Sequence, residues 1–301
     1  MADYERGFTL KHDESRGSCA IRFRCFDTPN SITVFTHDLS PEQVEDLLIS
    51  QYRTCLEYHF LWSFSLPDSD VARMNRPCDA VEVDSRTARL LQAMKQFHEV
   101  EPAFDFTVGP VSYLWKHAKA VPSSDAIRGA LAHVGARKVT VEGNLVRKDD
   151  PLVQIDVGGA AKGFVADELA RTLREAGIES ADIDLGGNLY MLGSHPEGRP
   201  WRVSVRIPEG VESAPIVLEV ESKSVVTSGS YERFCEIDGK RYQHIIDART
   251  GWPAETDLVS ATVVFPSSLQ ADLLATTALL IGSAGIPSLC LRHPDCAFTV
   301  F

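Results

Sequence analysis

The chain has 301 residues, 44% hydrophobic and 24% charged, enough to bury the core of one large domain or two lobes. A formal net charge of −12 excludes a general nucleic-acid or anionic-membrane surface, so any positive charge that meets a phosphate must be local. No apolar run is long enough to span a bilayer, and the polar start Met1-Ala2-Asp3-Tyr4-Glu5-Arg6-Gly7 shows no signal peptide or lipobox, so a cytoplasmic location is expected. The seven cysteines are scattered without a Cys-x-x-Cys pair and read as core thiols in a reducing compartment.

Residues 1–18 read as a polar N-terminal segment ahead of a single domain over 19–301. Strands are predicted over 20–26 and 31–36, around the turn Asp27-Thr28-Pro29-Asn30. Ser40 is placed to cap a long helix, with Pro41 at its first position and Gln43 completing a capping box. Val44, Leu47, Leu48, Leu56 and Trp62 mark its buried face. A loop through Pro67, Asp68, Ser69 and Asp70 ends near Asn75, and Ser85 is expected to cap a helix carrying Leu90, Leu91, Met94 and Phe97. The loop Ala103-Phe104-Asp105-Phe106-Thr107-Val108-Gly109-Pro110 precedes Trp115. A short helix over 125–134 follows, then strands over 138–141 and 145–147 turned by Gly143-Asn144.

The stretch Asp156-Val157-Gly158-Gly159-Ala160-Ala161-Lys162-Gly163-Phe164-Val165-Ala166-Asp167 opens an amphipathic helix whose apolar face is Val165, Leu169 and Leu173, with Gly177 as its stop. A strand and tight turn are predicted over 181–190, a strand over 201–207, and a hairpin of 232–237 with 240–246 about Asp238-Gly239. A strand over 258–265 leads to a helix capped by Ser267 or Ser268 and running to about Ile281. With no linker and no repeat, this is one α+β unit with two lobes and a cleft between them.

Three places carry chemistry. A glycine turn that opens a helix offers free N–H groups to an anion, and Lys162 adds a point charge, although the spacing is neither that of a P-loop nor of a dinucleotide fingerprint. Asp272 and Thr276 lie four residues apart on one face of an apolar helix, where a carboxylate is costly to bury without a positive partner. Mg²⁺ would suit the Asp272 carboxylate, the Thr276 hydroxyl and a carbonyl of the Gly158-Gly159 turn; a solvent-facing aspartate favoured by the helix dipole is the plainer alternative. The third place is the hydroxyl-rich turn Thr227-Ser228-Gly229-Ser230 with His244-Ile245-Ile246-Asp247-Ala248-Arg249-Thr250-Gly251. There His244 or Asp247 could take a proton from an attacking hydroxyl and Arg249 could steady a phosphate, or the stretch is a strand end with a turn cap.

In order, these pieces resemble the FAD:protein FMN transferase family, also called the ApbE or thiamine-biosynthesis lipoprotein family, over nearly the whole chain from near Phe23 past Gly282. The motifs that carry the resemblance are Pro67 to Asn75, the run from Phe104, Asp156 to Asp167, Gly186-Gly187, Thr227-Ser228-Gly229, His244 to Gly251, and Ala271-Asp272-Leu273-Leu274-Ala275-Thr276. The resemblance implies a T-fold-like α+β architecture with FAD in the cleft. It also implies a Mg²⁺-dependent reaction that splits the FAD pyrophosphate, attaches FMN to a threonine or serine hydroxyl in a motif of a partner flavoprotein, and releases AMP. Hydrolysis of FAD to FMN and AMP, as in some relatives, and FAD binding without turnover are the alternatives.

Motif by motif, the resemblance implies metal ligation by Asp272, Thr276 and the Gly159 carbonyl. It gives catalytic parts to His244, Asp247 and Lys162, and FAD contacts to Phe26, Asn75, Ala103, Phe104, Asp105, Thr107, Asp156, Lys162, Ile246 and Ala275. Phe26-Asp27-Thr28 stands where the family often has Met-Gly-Thr, Ser65 where it often has an aromatic, and Ala248 where proline is common; these departures bear on FAD affinity more than on catalysis. Asp257-Leu258-Val259-Ser260-Ala261-Thr262 faintly resembles an acceptor motif, but it falls in a predicted strand, so self-flavinylation at Thr262 is not expected.

Overall fold

The computed structural model describes residues 7–231 and 234–301, so Glu232, the expected start of one hairpin strand, lies outside the described residues. Strands β1 (Phe8–Asp13), β2 (Ser18–Cys25) and β3 (Thr28–Phe35) pair antiparallel in sequence order. β1 lies inside the expected polar segment: Phe8 and Leu10 point to the core while Thr9 and Lys11 alternate outward, so the sheet starts before residue 19. The turn between β2 and β3 is the two residues Phe26-Asp27, not four. Both have positive φ (+54° and +61°), the geometry of a tight hairpin turn and a strained one for phenylalanine.

Then follow α1 (Pro41–Trp62), α2 (Asp70–Met74), β4 (Ala80–Glu82), α3 (Ser85–Val100), α4 (Gly109–Lys116), α5 (Ser124–Leu131), β5 (Val139–Glu142) and β6 (Leu145–Lys148). Next come α6 (Ala161–Glu175), β7 (Ser180–Leu185), β8 (Asn188–Leu192), β9 (Trp201–Ser204), β10 (Val217–Val220) and β11 (Lys223–Gly229). The chain ends with β12 (Phe234–Ile237), β13 (Lys240–Gln243), β14 (Ile246–Asp247), β15 (Trp252–Pro253), β16 (Ser260–Phe265), α7 (Ser268–Ile281), α8 (Ile286–Arg292) and β17 (Ala297–Val300). No helix among the described residues is long and apolar enough to cross a membrane.

The main sheet runs β1-β2-β3-β7-β8-β11-β16-β17, with every neighbouring pair antiparallel. One face packs on α1, α6 and α7, and Ala181, Ile183 and Leu185 of β7 bury themselves there. The β9–β10 hairpin covers part of the other face, where Trp201, Val203 and Val220 meet Met191, Val225 and Val264. A second, smaller cluster joins α4 and α5 to the ribbons β12–β13 and β14–β15 through Val111, Trp115, Ile127, Ile237 and Ile246. The architecture is α+β.

Local signals set the helices. The Ser40–Gln43 capping box forms in both directions. Asp84, not Ser85, caps α3, because its carboxylate accepts the Arg86 N–H at 2.8 Å. Thr227-Ser228-Gly229 belongs to β11 rather than to a turn, and its Thr227 hydroxyl meets that of Thr262 at 2.8 Å across the register. Thr262 is 1% exposed, which closes it to self-modification.

Candidate active site at the paired helices α6 and α7

Helix α6 starts without help from its own N-cap, since Ala160 has no side-chain acceptor. The acceptor comes from the other end of the sequence: Asp272 of α7 takes the Gly163 N–H on Oδ2 at 3.1 Å. The service is returned. Asp167 of α6 accepts Ser268 N–H at 2.7 Å, Leu269 N–H at 3.0 Å and the Ser267 hydroxyl at 2.7 Å, all at the start of α7. Burial pushes the Asp167 carboxyl above its ordinary range, and those three donors work against the shift.

Gly163 permits this approach. A Cβ there would stand 2.5 Å from the Ser268 carbonyl oxygen and 2.8 Å from Leu269 Cα, so any larger residue would force the helices apart. Eleven of the fourteen residues of α7 are buried, as expected of a helix that is apolar all round. Asp272 is among them at 6% exposure, which removes the solvent-facing alternative.

One turn after Asp272, Thr276 faces the glycine turn. A Cβ on Gly159 would stand 3.4 Å from Thr276 Oγ1 and 3.4 Å from the Phe104 ring, so these three expected site residues do come together. The donors gathered around the start of α6 are a carboxylate, a hydroxyl and main-chain carbonyls, all oxygen. That set fits a hard cation such as Mg²⁺. The described residues hold no cluster of three or more His, Cys, Asp or Glu side chains fit for a metal. A single carboxylate therefore fits an ion that takes its remaining oxygens from water and phosphate.

Lys162 donates to the Gly186 carbonyl at 3.3 Å. Gly186 has φ +62°, and a Cβ there would collide with Thr28 at 2.5 Å. The Phe26-Asp27 turn, the Gly186-Gly187 turn and Lys162 thus converge. Phe26 donates its N–H to His59 Nδ1 at 3.4 Å and sets its ring edge-on to that imidazole, 5.9 Å between centroids. Burial lowers the His59 pKa, against the pull of Asp27.

The loop residues are tied together. Asn75 acts like a strand partner to Ile155, accepting its N–H at 2.7 Å and donating to its carbonyl at 2.9 Å. Asp156 follows directly; its carboxylate accepts the Gly158 N–H at 2.8 Å and its own N–H goes to Phe106 at 2.8 Å. Asp105 accepts both the N–H and hydroxyl of Thr107, at 2.8 and 2.6 Å, and Thr107 accepts Gly135 N–H at 2.7 Å. Ala103 is partly buried against the core. Thr107 and Ala275 have no exposed surface.

Of His244, Ile246 and Asp247, only Ile246 belongs to the smaller cluster. Ile246 is buried there, and His244 is exposed in the bend between β13 and β14. Burial would raise the Asp247 carboxyl, but Arg249 prevails and holds it below the usual range. Arg249 donates from Nε at 2.9 Å, from Nη2 at 2.8 Å and from its main chain at 2.8 Å. Trp115 anchors this hairpin by donating from its indole to the Gly251 carbonyl at 2.8 Å.

Sequence reasoning missed two organising residues. Asp167 carried a signal, an acid four residues after the glycine in the first turn of the helix. Lys148, buried at the end of β6, carried none. Its ammonium donates to the carbonyls of Met74 (2.7 Å), Arg76 (3.1 Å), Pro151 (3.0 Å) and Val153 (3.0 Å), and so holds the segments on either side of Asn75 and before Asp156.

Known proteins resemble this chain in sequence and in fold. A FAD:protein FMN transferase of Treponema pallidum is 37% identical over 237 residues, which cover 71% of this chain and 66% of that protein. One of Escherichia coli is 36% identical over 194 residues, 61% of this chain and 55% of the relative. These matches thus span between about half and two thirds of the relatives' length. The crystal structure of the Pseudomonas stutzeri flavinyl transferase ApbE, in its apo form, superposes with a TM-score of 0.83 at 26% identity, covering 98% of this chain and 92% of that one. The Vibrio cholerae flavin transferase ApbE gives 0.83 at 25% identity, with 97% of each chain covered. The model of the ApbE family matches residues 26–300, and the chain belongs to that family.

Proposed function

We propose that this protein moves FMN from FAD onto a serine or threonine hydroxyl of an acceptor protein and releases AMP, with Mg²⁺ as the supporting ion. The observation that carries the reading is the buried Asp272 at the glycine-opened start of α6, one turn from a Thr276 that faces Gly159. Asp272, Thr276 and the Gly159 carbonyl would hold the ion, which when bound supplies charge neutralisation for the diphosphate. The relatives' shared name, FAD:protein FMN transferase, supports the same reading.

The chain's own groups account for most of the work, because phosphoryl transfer chiefly needs positioning and charge compensation. The Lys162 ammonium, beside the start of α6, draws the diphosphate to the paired helices. The partly buried Phe26 offers apolar surface to a ring of FAD. The acceptor oxygen bonds to the FMN phosphorus, the bridging P–O bond breaks, and AMP leaves with the electron pair. The hydroxyl proton goes to His244, exposed in the bend before β14, and Asp247, held by Arg249, keeps the hairpin in place.

Incubation with FAD, Mg²⁺ and a peptide bearing Asp-Gly-x-Ser-Gly-Ala-Thr tests the reading. The expected result is a fluorescent peptide with one AMP per FMN attached. Free FMN plus AMP without labelled peptide would make the protein a pyrophosphatase, and intact bound FAD would make it a carrier. In the same assay His244→Asn should lower kcat about 100-fold, within the range of general-base losses, while the KM for FAD changes less than about threefold. Equal loss of both would make His244 a binding residue.

A further inference from the structure

The face of the main sheet turned away from α1, α6 and α7 carries a cavity of about 730 Å³, between β7, β8 and the β9–β10 hairpin. Asp182 and Asp184 line it from β7, two residues apart and therefore on one face of the strand. Leu189, Met191, Trp201 and Val203 supply apolar walls. This is a different surface from the paired helices, because the alternate residues of β7, Ala181, Ile183 and Leu185, are the ones buried toward them.

The two carboxylates differ in how they are satisfied. Asp184 Oδ1 accepts the Gly187 N–H at 2.8 Å. Asp182 is part-buried as a residue, yet its Oδ1 is shut off from solvent and has no hydrogen-bond partner. Its cross-strand neighbours, Thr33 of β3 and Met191 of β8, are uncharged. Of the cations that line the cavity, Arg199 pairs with Glu197 at 2.8 Å, and Arg202 lies 4.0 Å from Glu219 with both side chains exposed. His195 sets its ring edge-on to Trp201 at 4.9 Å and accepts the Glu197 N–H at 3.3 Å. Burial first, and Asp184 second, push the Asp182 carboxyl up to about 6.

An ionised carboxylate without a partner, on an indole-walled cavity, is complementary to a cation with an apolar body. We propose that this cavity is a binding site for a small organic amine, with its ammonium on Asp182 and its apolar body against Trp201, Leu189 and Met191. Binding needs Asp182 ionised, so affinity rises with pH through about 6. His195, Arg199, Arg202 and Asp184 are the other titratable or charged groups on the cavity, which is why the pH profile must be read against a variant of Asp182 alone.

Tryptamine is a suitable probe and N-acetyltryptamine its neutral control, titrated calorimetrically into the full chain. Saturable one-to-one binding of tryptamine at pH 7.5 is expected, weaker by about tenfold at pH 5, as one unit of protonation linkage requires. Binding should fall at least about tenfold for N-acetyltryptamine and in Asp182→Asn, the loss of one charge-assisted contact. Leu189→Trp, which fills the cavity and leaves Asp182 in place, should also abolish it, with a thermal melt to show that each variant is folded. No saturable binding, equal affinity for the neutral analogue, or an undiminished affinity in folded Asp182→Asn would each overturn the proposal.

Discussion

Asp272→Asn is expected to abolish flavin transfer and leave the fold standing. Asparagine keeps an oxygen in place to accept the Gly163 N–H, so the contact between α6 and α7 survives with its volume. The charge is lost, and an NH₂ donor replaces the second acceptor oxygen. If Asp272 served merely to cap α6, asparagine would suffice, at a cost of about 1 kcal/mol or less and with full activity. If it grips a divalent ion, the substitution leaves a hydroxyl and neutral carbonyls, too few hard oxygens to compete with water, and kcat/KM should fall at least about a thousandfold, about 4 kcal/mol. Asp272→Ala removes the acceptor too and should add about 1–2 kcal/mol of destabilisation, the usual loss for a helix-start acceptor. Peptide labelling gives the first quantity and urea unfolding the second. Wild-type transfer by the asparagine variant would sink the metal assignment and leave Asp272 a helix cap. A single carboxylate also predicts that FAD tightens Mg²⁺ binding, since phosphate oxygens complete the shell.

What the sequence discloses, and what it conceals, follows the range of the interactions. Caps and tight turns are set within four residues, so Ser40 with Gln43, Gly177 at φ +82° and Asp238-Gly239 with two positive φ values fall where their residue types put them. The spacing of Asp272 and Thr276 likewise fixes their shared face. Strand β1 escapes because its short alternation becomes legible only beside β2, and β11 escapes because Thr227 looks like turn chemistry until Thr262 lies across from it. The same holds within the site. Asp272 is visible as a buried acid, but its partner Gly163 lies 109 positions away, and the return contacts of Asp167 run over 100 to 102 positions. Asp247 reads as a proton acceptor in the sequence; its occupation by Arg249, two residues on, depends on a side-chain rotamer that no periodicity encodes.

Lys148→Met should be the most damaging change outside the paired helices. Lysine is seldom fully buried unless its charge is met, and here one ammonium serves four carbonyls from two segments. Burial lowers the Lys148 pKa, while Cys78, Asp150 and Asp79 pull it the other way. Methionine matches the stem in length and apolar character, so packing is largely kept and the measured loss reports on the ammonium. Each carbonyl left without a donor costs about 1–3 kcal/mol, and with partial relaxation the total should be about 3–5 kcal/mol, read as a fall in the urea midpoint. The damage should reach the flavin site as well. The released segments, 74–76 and 151–153, flank Asn75 and lead into Ile155 and Asp156, whose main-chain contacts place the glycine turn opposite Thr276. FAD affinity measured where the variant is still folded should therefore drop about tenfold, about 1.4 kcal/mol, with little change in kcat at saturation. A lowered midpoint with unaltered FAD binding would make Lys148 a stability residue alone and would uncouple the Asn75 loop from the site.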